Sequence, residues 1–278
     1  VNTSIPAEGP TTLVLGSNGT TGSRVLERLR RRHVPVRIGS RRGEPPFSWT
    51  DESTWVAALH EIDRVYVLHP LIGAPDTADQ VARFSTKAAA AGVSRLVLLT
   101  AHGYDESPEQ QAVESAGTEW TIVRPSWFAQ NFDDDFMGFR TLLRDGNLTL
   151  PFRHAAFAFV DADDIADVAV AALTESGHHG KAYDVTGPES LDYFEVAERF
   201  SQILGRSIRY TPVTSEQFVD RMSDLGSPSD PGAVFAADDD VREAVAHGVN
   251  EALGHPPKSL DSYITTMAAT GVWNPAAD

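Results

Sequence analysis

The chain has 278 residues, 41% of them hydrophobic, and a formal net charge of −16. That is enough apolar material for one large domain, or a main domain with a smaller companion. The acidic balance argues against nucleic acid and anionic membrane surfaces, whose phosphates need clustered Lys and Arg, and the absence of cysteine excludes disulfides, thiol nucleophiles and thiolate metal sites.

Apolar β-type runs alternate with helical patterns through the first half. Residues 12–15 form a first strand, and 23–32 a helix with Val25, Leu26 and Leu29 on one face. Residues 34–38 are a second strand and 47–49 a short third one, followed by a helix over 53–60. Strand 64–68 precedes a long helix over 76–91, striped by Val81, Phe84 and Ala88 and capped by Gly92. Strand 95–100 is nearly continuous in apolar residues, as a strand covered on both faces should be. A helix over 108–116 and a strand over 120–123 complete this half.

After Phe128 the pattern loosens. Helices are expected over 161–173, 191–204 and beyond the Thr214–Gln217 capping box, and strands over 182–185 and 208–213. Residues 227–232 are turn-rich, and two helical patterns close the chain. Repeated βα units make a parallel sheet covered by helices. The expectation is therefore an α/β, Rossmann-type doubly wound parallel sheet over residues 11–150. A smaller, α-rich, partly interleaved substrate lobe is expected over residues 151–278.

The most informative stretch is Gly16-Ser17-Asn18-Gly19-Thr20-Thr21-Gly22, between the first strand and the first helix. A nucleotide pyrophosphate needs such a junction. Gly16 permits the tight turn, Gly19 removes a Cβ so that backbone can approach phosphate, and Gly22 lets helix and strand pack closely. The helix N-terminus adds free N–H groups and a partial positive charge. Twenty residues on, the chain reads Ser40-Arg41-Arg42, with no carboxylate until Glu44. A hydroxyl and two guanidinium groups suit a ribose 2′-phosphate better than a 2′-hydroxyl. NADP(H) is therefore expected in preference to NAD(H), which stays possible; the competing reading is a solvated basic turn.

Short-chain dehydrogenases usually pair a tyrosine acid with a lysine four residues later. Here the six tyrosines are followed, four residues on, by Pro70, Pro108, Gly187, Ala197, Thr214 and Met267. The proton must come from elsewhere. After the 95–100 strand, Thr100 is placed to hydrogen-bond a carbonyl, and His102 or Tyr104 to supply a proton. The plainer reading of His102 and Tyr104 is a polar loop touching solvent.

With these residues in view, the sequence resembles the NmrA-like, atypical short-chain dehydrogenase/reductase group. Within it, the chain looks closest to the ergot-alkaloid dehydrogenase-like reductases and their bacterial relatives. The resemblance rests on the glycine loop, on Arg95-Leu96-Val97-Leu98-Leu99-Thr100, and on Glu119-Trp120-Thr121-Ile122-Val123-Arg124-Pro125-Ser126-Trp127-Phe128-Ala129-Gln130-Asn131-Phe132. It continues in Phe159-Val160-Asp161-Ala162-Asp163-Asp164-Ile165-Ala166 and Thr186-Gly187-Pro188. It implies that the strand ending at Pro125 passes beside a nicotinamide and that His69 and Pro70 flank the cofactor. It also implies that the Trp127–Phe132 segment lies near a substrate. Relatives often carry Lys or His and a Glu on the helix before the 120–123 strand. This helix reads Pro108-Glu109-Gln110-Gln111-Ala112-Val113, which puts a catalytic role for it in doubt.

Trp127, Phe128, Phe132, Phe136 and Met137, with Phe152, Phe157 and Phe159, read either as a pocket for a flat polycyclic substrate or as core. Trp127 and Phe128 are the expected pocket residues, and Asn131 either orients a substrate oxygen or caps a helix. Asp133-Asp134-Asp135 and Asp238-Asp239-Asp240 read as solvated faces rather than metal sites, and His178-His179 as a surface loop. Without an apolar leader or a run long enough to cross a bilayer, a cytoplasmic location is expected. The expected activity is NADPH-dependent hydride transfer to a carbonyl, imine or conjugated C=C of a bulky, aromatic small molecule, in secondary-metabolite (antibiotic-type) biosynthesis, with a quinone or azo acceptor as a close variant. The alternatives are a dinucleotide-binding redox sensor without turnover, and a non-redox isomerase or cyclase. The sequence leaves the oligomeric state open.

Overall fold

The computed structural model describes residues 9–134, 138–224 and 241–275. The chain divides into two compact units. The first comprises residues up to 125 with 162–185 and 247–255, and the second 126–161, 186–246 and 256–278. The expected split after residue 150 thus lies elsewhere, because two later segments belong to the first unit. Lys181–Val185 pairs with the preceding strand as a further parallel strand. Helix Ala162–Thr174 packs against the first helix.

The first unit is a six-stranded parallel sheet. Its strands β1 (Thr12–Leu15), β2 (Val36–Gly39), β3 (Arg64–Val67), β4 (Arg95–Leu99) and β5 (Glu119–Pro125) lie in the order β2-β1-β3-β4-β5, and Lys181–Val185 follows at the edge. This is a Rossmann-type doubly wound fold. Strand order reverses beside β1, so a crevice opens at the C-terminal ends of β1 and β3, where ligands bind in open α/β sheets. Helices α1 (Thr20–Arg31), α2 (Trp55–Leu59), α3 (Thr77–Ala90) and α4 (Pro108–Glu114) connect the strands. Leu13, Leu15, Val65, Val67, Leu96 and Leu98 alternate onto one face and pack with Trp55, Val81, Phe84 and Val113. The intervening Val14, Tyr66, Val97 and Val123 are also fully buried. That double burial is why these strands read as continuous apolar runs.

The expected third strand at 47–49 is absent; only a single bridge, Ser48 to Asp51, forms there. Pro45 and Pro46 cannot donate to a ladder. The aromatic residues instead make an edge-packed cluster of Phe47, Trp49, Trp55 and Phe84. The indole nitrogens of Trp55 and Trp49 donate to the Ser48 and Leu68 carbonyls at 2.7 and 3.0 Å. The expected 208–213 strand shortens to Arg209–Tyr210, paired with Asn147–Leu148, and Pro212 accounts for its early end.

The second unit holds helices Phe139–Arg144, Tyr193–Leu204, Ser215–Asp224 and Leu260–Ala268. Its core is aromatic, built on Phe132, Phe139, Phe152, Phe157, Phe159 and Phe200 with Tyr193 and Trp273. Two reciprocal caps open its helices. Asp192 and Glu195 bracket one, and Thr214 with Gln217 the other, through bonds of 3.2 and 3.0 Å. The turn-rich 227–232 stretch lies outside the described residues.

Candidate functional site

The C-terminal edge of the sheet collects the glycine loop after β1, Ser40–Arg42 after β2, His69 and Pro70 after β3, Thr100–Tyr104 after β4, and Pro125 at the end of β5. Sequence separations of over one hundred residues vanish here because parallel strands align all their C-termini.

The loop geometry separates the roles of its glycines. Gly16 has φ +65°, and a Cβ on it would sit 2.8 Å from the Leu68 side chain. A Cβ on Gly22 would sit 2.2 Å from the Gly16 carbonyl oxygen. Both are demanded by the protein itself. Gly19 is not: its φ is −85°, and an added Cβ meets only the Gly16 oxygen, at 3.4 Å. It is exposed, donates to the Gly16 carbonyl at 2.9 Å, and stands at the N-cap of α1 without a capping side chain. No acidic residue occupies the first turn of α1. Tyr66, fully buried, donates to Thr21 Oγ1 at 3.0 Å and ties the helix start to β3. Burial raises that phenol far above its ordinary range, so it stays neutral.

Two buried hydroxyls on this edge, Ser17 Oγ and Thr100 Oγ1, have no hydrogen-bond partner among the described residues. Buried polar atoms are normally paired. An uncapped helix start, an open Gly19 and two orphaned hydroxyls fit a dinucleotide as the missing partner. In the turn after β2, Ser40 accepts from the Gly43 and Phe47 amides at 3.0 and 2.9 Å. Arg41 and Arg42 are exposed, and neither guanidinium has an ion-pair partner among the described residues. Arg42 lines a groove that runs along β2, from Thr11 and Pro35 to Gly43 and Glu44.

His69 is held from both sides. Its Nδ1 accepts from the Leu71 amide at 3.1 Å, which requires a neutral ring with the proton on Nε2, directed at Gln80 Oε1 at 2.9 Å. Its ring lies against Trp49, with centroids 4.7 Å apart, and burial pushes its pKa down. His102 donates its backbone N–H to the Pro125 carbonyl at 2.9 Å, and its Nδ1 stands 3.3 Å from Asp184. Asp184 also pairs with the buried Arg124, which reaches Asp105 as well. Sequence reasoning missed this Asp105–Arg124–Asp184 cluster, because its members are separated in sequence and joined only by strand pairing. The Tyr104 ring packs over Gly73.

Trp127, Phe128 and Asn131 belong to the second unit. Trp127 is half-buried against Phe157 at 5.3 Å, and Phe128 and Asn131 are half-buried around the turn that starts the 129–133 helical segment. The segment is laced to 159–161 by Ala129 N–H to Val160 O at 2.8 Å and by Gln130 to Asp161 at 2.9 Å. Phe132, Phe152, Phe157 and Phe159 are buried core residues. Phe136, Met137, Asp135 and Asp238–Asp240 lie outside the described residues. Among the described residues, no cluster of three or more His, Asp or Glu is placed to hold a metal. No described helix is long and apolar enough to cross a membrane.

His178 and His179 lie in the expected loop before Lys181–Val185, but the His178 side chain turns inward. It is buried, its Nδ1 2.8 Å from the Tyr183 hydroxyl, while its carbonyl accepts from Thr121. The exposed His179 accepts from the Trp120 amide at 3.1 Å. Burial pushes the His178 pKa down, as it does for His69. An unfolded histidine titrates near pH ~6.5, so on acidification the unfolded state takes up these protons first. Stability from both groups is complete above that value and is lost as pH falls below it. Urea midpoints should drop between pH 7.5 and 5, and a His69→Gln/His178→Gln double variant should flatten that dependence. An identical pH dependence in the double variant would refute the assignment.

Residues 109–231 match the NmrA-like family model. The chain is 32% identical to the NAD(P)H azoreductase of Xenophilus azovorans, over 92% of this chain and 98% of that one. It is equally identical to festuclavine synthase I of Penicillium roqueforti, over 91% and 96%. The chain belongs to the NmrA-like family. Among solved structures, Citrobacter sp. triphenylmethane reductase complexed with NADP(H) superposes with a TM-score of 0.76 at 17% identity, covering 94% of this chain and all of that one. This likeness speaks for the fold, and the identities above for the family.

Proposed function

We propose that this NmrA-like protein is an NADPH-dependent reductase of aromatic small molecules, and that the sheet edge is its cofactor site. The observation that carries the reading is the buried, unpartnered Thr100 hydroxyl, on the same edge as the open glycine loop. Gly16–Gly22 would hold the pyrophosphate against the α1 N-terminus, and Ser17 would add a hydroxyl bond. Ser40 and Arg41 would take the 2′-phosphate, with Arg42 secondary. His69, Pro70 and Pro125 would line the cofactor. When bound, the nicotinamide supplies the hydride. Thr100 donates a hydrogen bond to the acceptor oxygen or nitrogen and stabilises the negative charge that hydride addition creates there. Water or a substrate hydroxyl completes the reduction with a proton. His102 stays engaged with Asp184, and Tyr104 packs on Gly73, so neither is required as the acid. Trp127, Phe128 and Asn131 are the proposed substrate contacts of the second unit.

The azoreductase relative supports an azo acceptor, with a quinone as a close variant, and the synthase relative a tailoring step in secondary-metabolite biosynthesis. Cofactor choice is tested directly. NADPH should bind more tightly than NADH. Loss of a charge-assisted contact costs roughly 1.5–3 kcal/mol, so Arg41→Ala should shrink the preference about tenfold or more. Equal affinity of the intact protein for both cofactors by titration calorimetry refutes the 2′-phosphate assignment. If NADPH binds but no ketone, imine, enone, quinone or azo compound is reduced, a redox-sensing role replaces the enzymatic one.

A further inference from the structure

The loop after β3 has more fixings than a surface turn needs. His69 Nδ1 accepts from the Leu71 amide. Thr77 Oγ1 donates to the Leu71 carbonyl at 2.5 Å. The Gly73 amide donates to Glu109 Oε1 at 3.1 Å. Glu109 itself is only 3% exposed, although it is a carboxylate in the first turn of α4. Gly73 has φ +83°, and a Cβ there would strike the Tyr104 ring at 2.9 Å. Four side chains from the loops and helices around it thus fix Leu71 and Gly73.

Yet the residue at the centre of this brace, Leu71, is 63% exposed. Tyr104, which packs against Gly73, is 44% exposed. Rigid backbone carrying solvated apolar side chains is the mark of a surface prepared for a ligand, because the ordering cost is met before binding. The Tyr104–Gly73 contact sets this loop against the segment that begins with Thr100.

The surrounding charge narrows the ligand. No Lys or Arg occurs between Arg64 and Arg83, or between Arg95 and Arg124. The charged residues flanking the two loops are the exposed Asp76, Asp79 and Glu106, with Asp105 paired to Arg124. An anion is disfavoured there, whereas an uncharged or cationic ring is not.

We propose that Leu71–Gly73 is a preset apolar ledge for an uncharged or cationic aromatic hydride acceptor, with Leu71 its contact residue and Glu109 the positioning residue that holds it. The proposal rests on the reductase reading above. It gives Glu109 a role that requires no proton transfer, only acceptance of the Gly73 N–H. Glutamine preserves that acceptor, and alanine removes it.

Menadione, uncharged, and 1,2-naphthoquinone-4-sulfonate, anionic, are compared as acceptors at saturating NADPH. Menadione should be favoured in kcat/KM. Leu71→Ser should raise the menadione KM about tenfold, the scale of burying one leucine side chain, with NADPH affinity unchanged. Glu109→Ala should raise the same KM, and Glu109→Gln should restore it. Equilibrium dialysis of menadione against the NADP+-loaded protein reads the ledge without turnover, and Leu71→Ser should weaken that binding by the same factor. Unchanged KM and dialysis constants in Leu71→Ser, or preference for the sulfonate, overturn the ledge alone. Failure of the intact protein to bind NADPH overturns the reading on which it rests.

Discussion

Gly19→Val should abolish NADPH binding and leave a folded protein. The structure separates this glycine from its neighbours. Its φ of −85° is open to any residue, and an added Cβ meets nothing closer than 3.4 Å. The fold therefore does not need a glycine at this position. A phosphate lying on the α1 N-terminus does, because a branched side chain would fill the space through which backbone N–H groups reach it. Gly22→Ala is the contrasting control. There a Cβ would sit 2.2 Å from a backbone oxygen, so the helix must move, and thermal stability should fall along with binding. Calorimetric titration with NADPH and thermal melts distinguish the two. Unchanged binding in a well-folded Gly19→Val protein removes the phosphate-cradle reading.

Thr100→Val should lower turnover by roughly 10²-fold, the scale of one lost oriented hydrogen bond to developing charge. The substitution is nearly isosteric, and the hydroxyl it removes has no partner among the described residues, so the fold loses no internal bond. What is lost is the hydrogen-bond donor proposed for the hydride acceptor. Tyr104→Phe keeps the ring over Gly73, and His102→Ala removes a side chain engaged with Asp184. Both variants should retain measurable reduction. Single-turnover NADPH oxidation, on variants with unchanged cofactor affinity, reads all three. Complete loss of reduction in Tyr104→Phe or His102→Ala would name a dedicated acid and sink this mechanism.

The positioning network illustrates how position in the fold alters what a motif means. On the sequence, Glu109 sits on a helix lacking the Lys or His of relatives, which put any catalytic role for the helix in doubt. In the fold its carboxylate is buried and engaged with Gly73, thirty-six residues earlier. Arg124 likewise reads as part of a family block, but its charge is balanced by Asp105 and Asp184 from neighbouring segments. Neither contact has a sequence signature, since both depend on which loops the parallel strands bring side by side.

The sequence by itself determined the parallel sheet, the glycine loop and the candidate cofactor edge. Those features are local or periodic: apolar runs four to seven residues long, glycines at fixed offsets, a basic turn after the second strand. Tertiary structure alone decided the rest. It turned 47–49 from a strand into an aromatic cluster, because indole N–H groups took the carbonyls and two prolines withheld donors. It moved Lys181–Val185 and Ala162–Thr174 into the first unit, since a sheet recruits strands by edge and not by chain order. It also buried His178, and it separated the glycine open to a ligand from those that the backbone itself requires. These outcomes are set by side-chain packing and hydrogen-bond competition between distant segments, and a linear pattern carries no record of that competition.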